Sequence, residues 1–291
     1  MPIMKSRFLP IVFTVLAIFI PTTLWADHSP TPTAATIAGS LQDELGCPGD
    51  WQPDCAATHL TFDTDDTIWQ GTFNIPAGSY EYKAALSDSW DENYGANAAT
   101  NGANIQLNLG AATDVKFYYS HDTHWITDNV NSVIATAAGS FQSELGCTGD
   151  WQPDCLRSWL QDTDGDGIYT LITDAIPGGS YEFKVTLNED WTASYPAANV
   201  PFTSKTGDTV TITFDSSDNS VNVTVTPSCF PSFTITGSLK DERGCPGDWQ
   251  PDCAYTHLVY DSEDDVWEDS FFIPAGSYEY KEELKYCWDE T

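Results

Sequence analysis

A ten-residue segment, GCPGDWQPDC at 46–55, returns as GCTGDWQPDC at 146–155 and again as GCPGDWQPDC at 244–253. A spacing near one hundred residues is too long for a solenoid unit and matches the size of a small domain, so the chain reads as tandem modules. A second set of segments keeps the same order: IPAGSYEYKAALSDSWDENYG from 75, IPGGSYEFKVTLNEDWTASYP from 176 and IPAGSYEYKEELKYCWDET from 273. The expected modules are 36–133, 134–226 and 234–291, joined by Pro/Thr/Ser-containing linkers at 27–35 and 227–233.

Within a module the period is that of strands. Trp69, Gly71, Phe73 and Ile75 alternate with polar neighbours, the segment PAG turns the chain, and Tyr80, Tyr82, Ala84 and Leu86 share one face. This pattern predicts a hairpin with one buried face. DVKFYYSHDTHWITD in module 1 and DTVTITFDSSDNSVNVTV in module 2 each read as strand, polar turn, strand. With no sustained helical period after the first segment, the expected class is all-β, as tandem immunoglobulin-like β-sandwich modules. Module 3 stops just past Trp288 without a closing hairpin, so it is expected to be truncated and the polypeptide to continue.

Residues 1–26 carry Lys5 and Arg7 ahead of an apolar run, Leu9 to Ile20, which predicts a secretory signal peptide. The whole chain holds 11 Lys and Arg against 43 Asp and Glu, a formal net charge of −32. Such a field repels phosphate backbones and anionic lipids, so nucleic acid and membrane are not expected partners. A secreted monomer is expected.

In that compartment eight cysteines point to disulfides. Cys47 and Cys55, Cys147 and Cys155, and Cys245 and Cys253 share one spacing and are expected to pair; zinc is the competing reading, but no histidine stands nearby at ligand spacing. Cys229 and Cys287 remain, to pair with each other or with chain beyond Thr291.

A loop clamped by a cystine holds Trp51 in one orientation. A rigid indole suits the apolar face of a sugar ring, because stacking removes little hydration from the hydroxyls and buries area at low entropic cost. Lys83 lies on the strand facing away from Tyr80 and Tyr82, and Trp90 follows seven residues later; Lys184 with Trp191 and Lys281 with Trp288 repeat the spacing. Spacing alone favours a plainer reading, in which the tryptophans plug the ends of each sandwich and Lys83 is solvated among acidic neighbours.

The strand leading to the first Trp, the YEYK segment, the Trp seven residues after its Lys and the later Asn104 resemble starch- and glycogen-binding modules. GDWQPDCAATHLTFD, IPAGSYEYKAALSDSWDENYG and FYYSHDTHWITD resemble, more closely, the accessory immunoglobulin-like modules beside the catalytic domain of secreted bacterial pullulanases and amylopullulanases. The resemblance implies an α-glucan site formed by Trp51, Lys83, Trp90 and Asn104, by Trp151, Lys184, Trp191 and Asn199 in module 2, and by Trp249, Lys281 and Trp288 in module 3. It also implies a catalytic domain absent from this chain. Module 2 departs from the pattern: its Tyr195–Asn199 loop is six residues shorter than Tyr94–Asn104, and HDTHW has no counterpart.

Weaker signals remain. Asp162, Asp164 and Asp166 in DTDGDG begin like a calcium loop, but Thr173 stands where the twelfth-position Glu belongs, so a turn is the simpler reading; calcium is the one cofactor candidate. His121 and His124 form a potential metal pair without a partner in module 2 and read as surface histidines. No nucleophile elbow, zinc-protease motif or phosphate loop occurs, and no pair of carboxylates is singled out for glycoside hydrolysis. The expected function is therefore non-catalytic glucan binding. Structural spacer modules and a calcium-dependent surface adhesin are the alternatives.

Overall fold

The computed structural model describes residues 31–228, 232–250, 253–261, 266–270 and 272–285. Residues 1–26, expected as a signal peptide, and Cys229, Cys287 and Trp288 lie outside the described residues. Those described contain strands, turns and single 3-10 turns, with no α-helix among them.

Module 1 is built from β1 (Ala35–Gly39), β2 (His59–Asp63), β3 (Ile68–Ile75), β4 (Gly78–Leu86), β5 (Ser89–Tyr94), β6 (Ile105–Leu109), β7 (Thr113–Tyr119) and β8 (Ile126–Asp128). All pairings are antiparallel. One layer runs β5-β4-β1-β2, with β6 also on β4, and the other runs β2-β3-β7-β8, so β2 is shared between layers. Period-two alternation turns Ile37, Tyr82, Ala84, Leu86 and Leu107 inward from one layer and Ile75, Val115, Phe117 and Tyr119 from the other. Their meeting is visible in Tyr82 and Phe117, edge to face with ring centres 5.0 Å apart.

The hairpin expected at 69–86 does not form. Both strands bury the predicted face, yet β3 pairs with β2 and β7 while β4 pairs with β1, β5 and β6. Pro76 lacks an N–H, so the ladder ends at Ile75 and the chain crosses to the opposite layer. Alternation identifies a half-buried strand but not its partner.

Module 2 repeats the plan with β9 (Ala135–Gly139), β10 (Trp159–Leu160), β11 (Ile168–Thr173), β12 (Gly179–Leu187), β13 (Asp190–Ser204), β14 (Thr209–Asp215) and β15 (Ser220–Thr226). They form two sheets, β10-β9-β12-β13 and β11-β14-β15. Module 3 shows β16 (Ser232–Gly237) paired with β19 (Tyr280–Lys285), and β17 (Val259–Asp261) paired with β18 (Val266–Glu268). Registers coincide across modules: Lys83 stands opposite Ala38, Lys184 opposite Ala138 and Lys281 opposite Thr236.

Candidate functional site

The site begins where β1 ends beside β4, with Gly39 opposite Tyr82. A Cβ at Gly39 would lie 2.3 Å from the Glu81 carbonyl oxygen and 2.8 Å from Cβ of Tyr82, so only glycine permits the close approach. The chain then makes a 3-10 turn, Asp43–Leu45, and leaves it through Gly46 in the left-handed region at φ 92°. Cys47 and Cys55 close the loop that follows; Cys147–Cys155 and Cys245–Cys253 close the same loop in the other modules. Closing so short a loop is worth about 2–3 kcal/mol in the chain-entropy account.

Inside the loop sits Gln42, fully buried. Its Oε1 accepts from the Gly39 N–H at 3.3 Å and the Gln52 N–H at 2.7 Å, while its Nε2 donates to the Gln52 carbonyl and to Thr58 Oγ1, both at 2.9 Å. One side chain thereby satisfies backbone on both sides of Trp51. Gln142 makes the same bonds in module 2, with Ser158 in place of Thr58. Lys240 occupies the position in module 3 and donates to the Gln250 carbonyl and Thr234 Oγ1.

Trp51 is held at φ 57°, and Trp151 and Trp249 at 59°. A bulky residue in the left-handed region is strained and persists only where its surroundings over-determine it. Here the disulfide, Gln42 and the bond from the Trp51 N–H to the Gly39 carbonyl at 3.2 Å do so. The strain aims the indole outward beside Trp90, with ring centres 6.3 Å apart and planes inclined by 37°.

Trp51, Lys83, Trp90, Asn93, Asn101 and Asn104 line one open groove of about 290 Å³. Trp90 is 37% exposed and Trp51 half-buried, so these indoles are wall rather than core, unlike Trp69 and Trp125. Asn93 Nδ2 donates to the Trp90 carbonyl at 3.1 Å and to Asn101 Oδ1 at 2.8 Å, which ties the Tyr94–Asn104 loop to β5. Asn104 Nδ2 is engaged with Glu81 at 2.8 Å. Lys83 Nζ, in contrast, takes part in no hydrogen bond or ion pair among the described residues. The groove thus offers two inclined apolar faces, an ammonium group and amide groups held in fixed positions by their own hydrogen bonds, a mix of surfaces suited to a polyhydroxylated ring.

Module 2 reproduces the aromatic half. Trp151 and Trp191 lie 6.4 Å apart at 34°, and Trp191 is 40% exposed. Lys184, however, donates to the Ala197 carbonyl at 3.0 Å, inside the shorter loop. Asn199 is exposed next to Val200, the residue paired with Phe183, just as Asn104 precedes Ile105, paired with Tyr82. In module 3 Trp249 is 46% exposed and Lys281 lies at the equivalent register, also exposed.

Two groups escaped the sequence reading, and a third was only partly seen. Gln42 and Gln142 carried a signal, their identity in SLQDELGC and SFQSELGC, but a polar residue inside a turn does not announce that it is buried. Asn93 and Asn101 are brought together only by the loop. His121 and His124 are half-buried rather than surface residues, and Glu92 from β5 joins them, their ligand atoms within 4.8 Å of one another. Asp162 accepts from the amides of Asp166 at 3.0 Å and Gly167 at 3.1 Å, which is the geometry of a capped turn between β10 and β11.

Fold and grooves together define a class: disulfide-braced β-sandwich modules, each presenting a strained tryptophan at its surface. The chain belongs to the pullulanase X25 domain family, whose model matches residues 34–126, 134–221 and 232–291, the third segment shorter than the others. An amylopullulanase of Thermoanaerobacterium thermosulfurigenes is 38% identical over 98 residues, 34% of this chain and 5% of the relative. One from Thermoanaerobacter thermohydrosulfuricus is 30% identical over 178 residues, 58% of this chain and 12% of the relative. Another, from Thermoanaerobacterium saccharolyticum, is 36% identical over 98 residues and is covered to 8%. The chain therefore spans about an eighth or less of the length of these relatives. Among solved structures it is similar to a pullulanase from Bacillus acidopullulyticus, with a TM-score of 0.31 and 15% identity, covering 67% of this chain and 28% of that one. The family segments are accessory modules, and the three disulfides belong to an oxidising compartment.

Proposed function

We propose that these modules bind α-glucan for a secreted, pullulanase-type glycoside hydrolase whose catalytic domain is not in this chain. The observation that carries the reading is the pairing of Trp51 with Trp90, side by side in the wall of an open groove that also contains Lys83. Two indoles inclined by 37° follow a curved chain of sugar rings better than a flat one. The relatives are amylopullulanases, which agrees with a glucan as the polymer. Repetition suits such a ligand: a single contact near millimolar strength, about −4 kcal/mol, gains a hundredfold or more when modules engage one strand together.

The test is retention of the mature chain on amylopectin together with titration by maltoheptaose, read by tryptophan fluorescence. Binding with a blue shift that disappears in a Trp51→Ala/Trp90→Ala variant is expected. A variant in which Trp51, Trp90, Trp151, Trp191, Trp249 and Trp288 are all replaced by Ala and that still elutes late from amylopectin overturns the proposal and leaves spacer modules.

A further inference from the structure

The geometry points to a divalent-metal site in module 1, formed by Glu92, His121 and His124 and suited to zinc or a similar borderline ion. It does not depend on the glucan reading. The three side chains come from different parts of the module, Glu92 from β5 and the histidines from the turn between β7 and β8, yet each offers a ligand atom within 4.8 Å of the others. All three are half-buried, so the cluster is sheltered without being sealed. Two imidazoles with one carboxylate favour zinc, nickel or copper over calcium or magnesium, which prefer oxygen alone, and leave a position for water.

Surrounding contacts support a site rather than a chance meeting. Tyr119 Oη lies 3.3 Å from His121 Nδ1 and 3.2 Å from His124 Nδ1, so one buried hydroxyl orients both rings, the outer contact that metal-binding histidines use. Tyr94 stacks flat on His124, with centres 4.1 Å apart and planes 3° from parallel, and its hydroxyl donates to Glu92 Oε1 at 2.9 Å. The 3.4 Å from Tyr94 Oη to His124 Nε2 runs between stacked rings, a direction in which the nitrogen has neither proton nor in-plane lone pair. His124 is also held at φ 61°.

Module 2 lacks the whole arrangement at once. Tyr195 pairs with Val185 as Tyr94 pairs with Ala84, which places Ala193 at the Glu92 position. Phe214 pairs with Tyr169 as Tyr119 pairs with Trp69, so the orienting hydroxyl is missing, and its last turn holds no histidine. Ligands and orienting group are present together or absent together. In module 1 a bound ion would staple β5 of one layer to the β7–β8 turn of the other.

The experiment uses the mature chain, stripped with EDTA, dialysed and titrated with zinc chloride by calorimetry in millimolar calcium. Calcium, which prefers oxygen ligands, is added to compete for the acidic clusters such as Asp43, Glu44 and Asp50 without competing for imidazole. One zinc per chain is expected, with a rise in melting temperature, and both Glu92→Gln and His121→Ala should lower affinity at least about tenfold. These variants are chosen because His124→Ala also removes the stack on Tyr94. No zinc binding above the calcium background, or one-to-one binding that survives in either variant, overturns the site.

Discussion

Modules 1 and 2 share a loop and differ around it. The cystine, the buried glutamine, the left-handed tryptophan and the second indole superpose in kind and nearly in number, with indole pairs at 6.3 and 6.4 Å. Yet Lys83 lies in an open groove while Lys184 is bound to the Ala197 carbonyl, and Asn93 is replaced by Ser194. Inside, Tyr82 donates to buried Asp128 at 2.6 Å where module 2 has Phe183, and Tyr119 is matched by Phe214. The repeated part is the scaffold that aims aromatic rings; the polar groups around them are free to diverge.

The comparison breaks most readily at its common element. Gln42→Leu leaves buried backbone groups without partners, so module 1 should lose about 3 kcal/mol in urea unfolding, with Gln142→Leu costing module 2 the same. Unchanged midpoints in both variants would mean that the cystine alone shapes the loop. Next in size is binding: Trp51→Ala or Trp90→Ala should weaken maltoheptaose binding at least about tenfold, or 1.4 kcal/mol, in calorimetry. Trp151→Ala or Trp191→Ala should do less, and equal losses would erase the distinction between the grooves.

A smaller effect separates the interiors. Burial first, and then the Asp128 charge, push the Tyr82 hydroxyl well above the usual tyrosine range; burial raises Tyr119 as well, followed by Tyr94 and Glu92. A group whose folded value is raised contributes stability that is fully present below about pH 10 and is lost as pH climbs toward the folded value. Module 1 should therefore lose stability above pH 10 more steeply than module 2, followed by circular dichroism. Tyr82→Phe should cost about 1–2 kcal/mol at neutral pH, since Asp128 keeps the Val130 and Asn131 amides and Asn131 Nδ2, and should flatten the alkaline slope. The smallest expected change is at the cations: Lys83→Met lowers glucan affinity about threefold, a fraction of the tenfold that 1.4 kcal/mol represents, while Lys184→Met leaves it unaltered in the same titration.

Much of this was legible beforehand. The three repeats and their strand periods point to the all-β class and the partners of three cystines, because alternation and spacing are local properties. The grouping of Trp51, Lys83, Trp90 and Asn104 was legible through repetition and resemblance, and the groove contains all four. Strand pairing was not: β3 and β4 bury their expected faces but belong to opposite layers, since the period of a strand says which side is apolar and nothing about its neighbour. The burial of Gln42 and the half-burial of His124 were equally hidden, because a polar side chain becomes interior only when distant segments close over it.

By itself the chain determined where its modules recur, which faces of its strands are apolar and which cysteines stand at bonding distance along the backbone, all set by residues close in sequence. Only the tertiary structure decided that Trp51 is turned outward against backbone preference, that Lys184 is occupied where Lys83 is not, and that Glu92 meets two histidines. Those outcomes depend on contacts between residues ten or more positions apart, whose geometry exists only once strands have paired and packed.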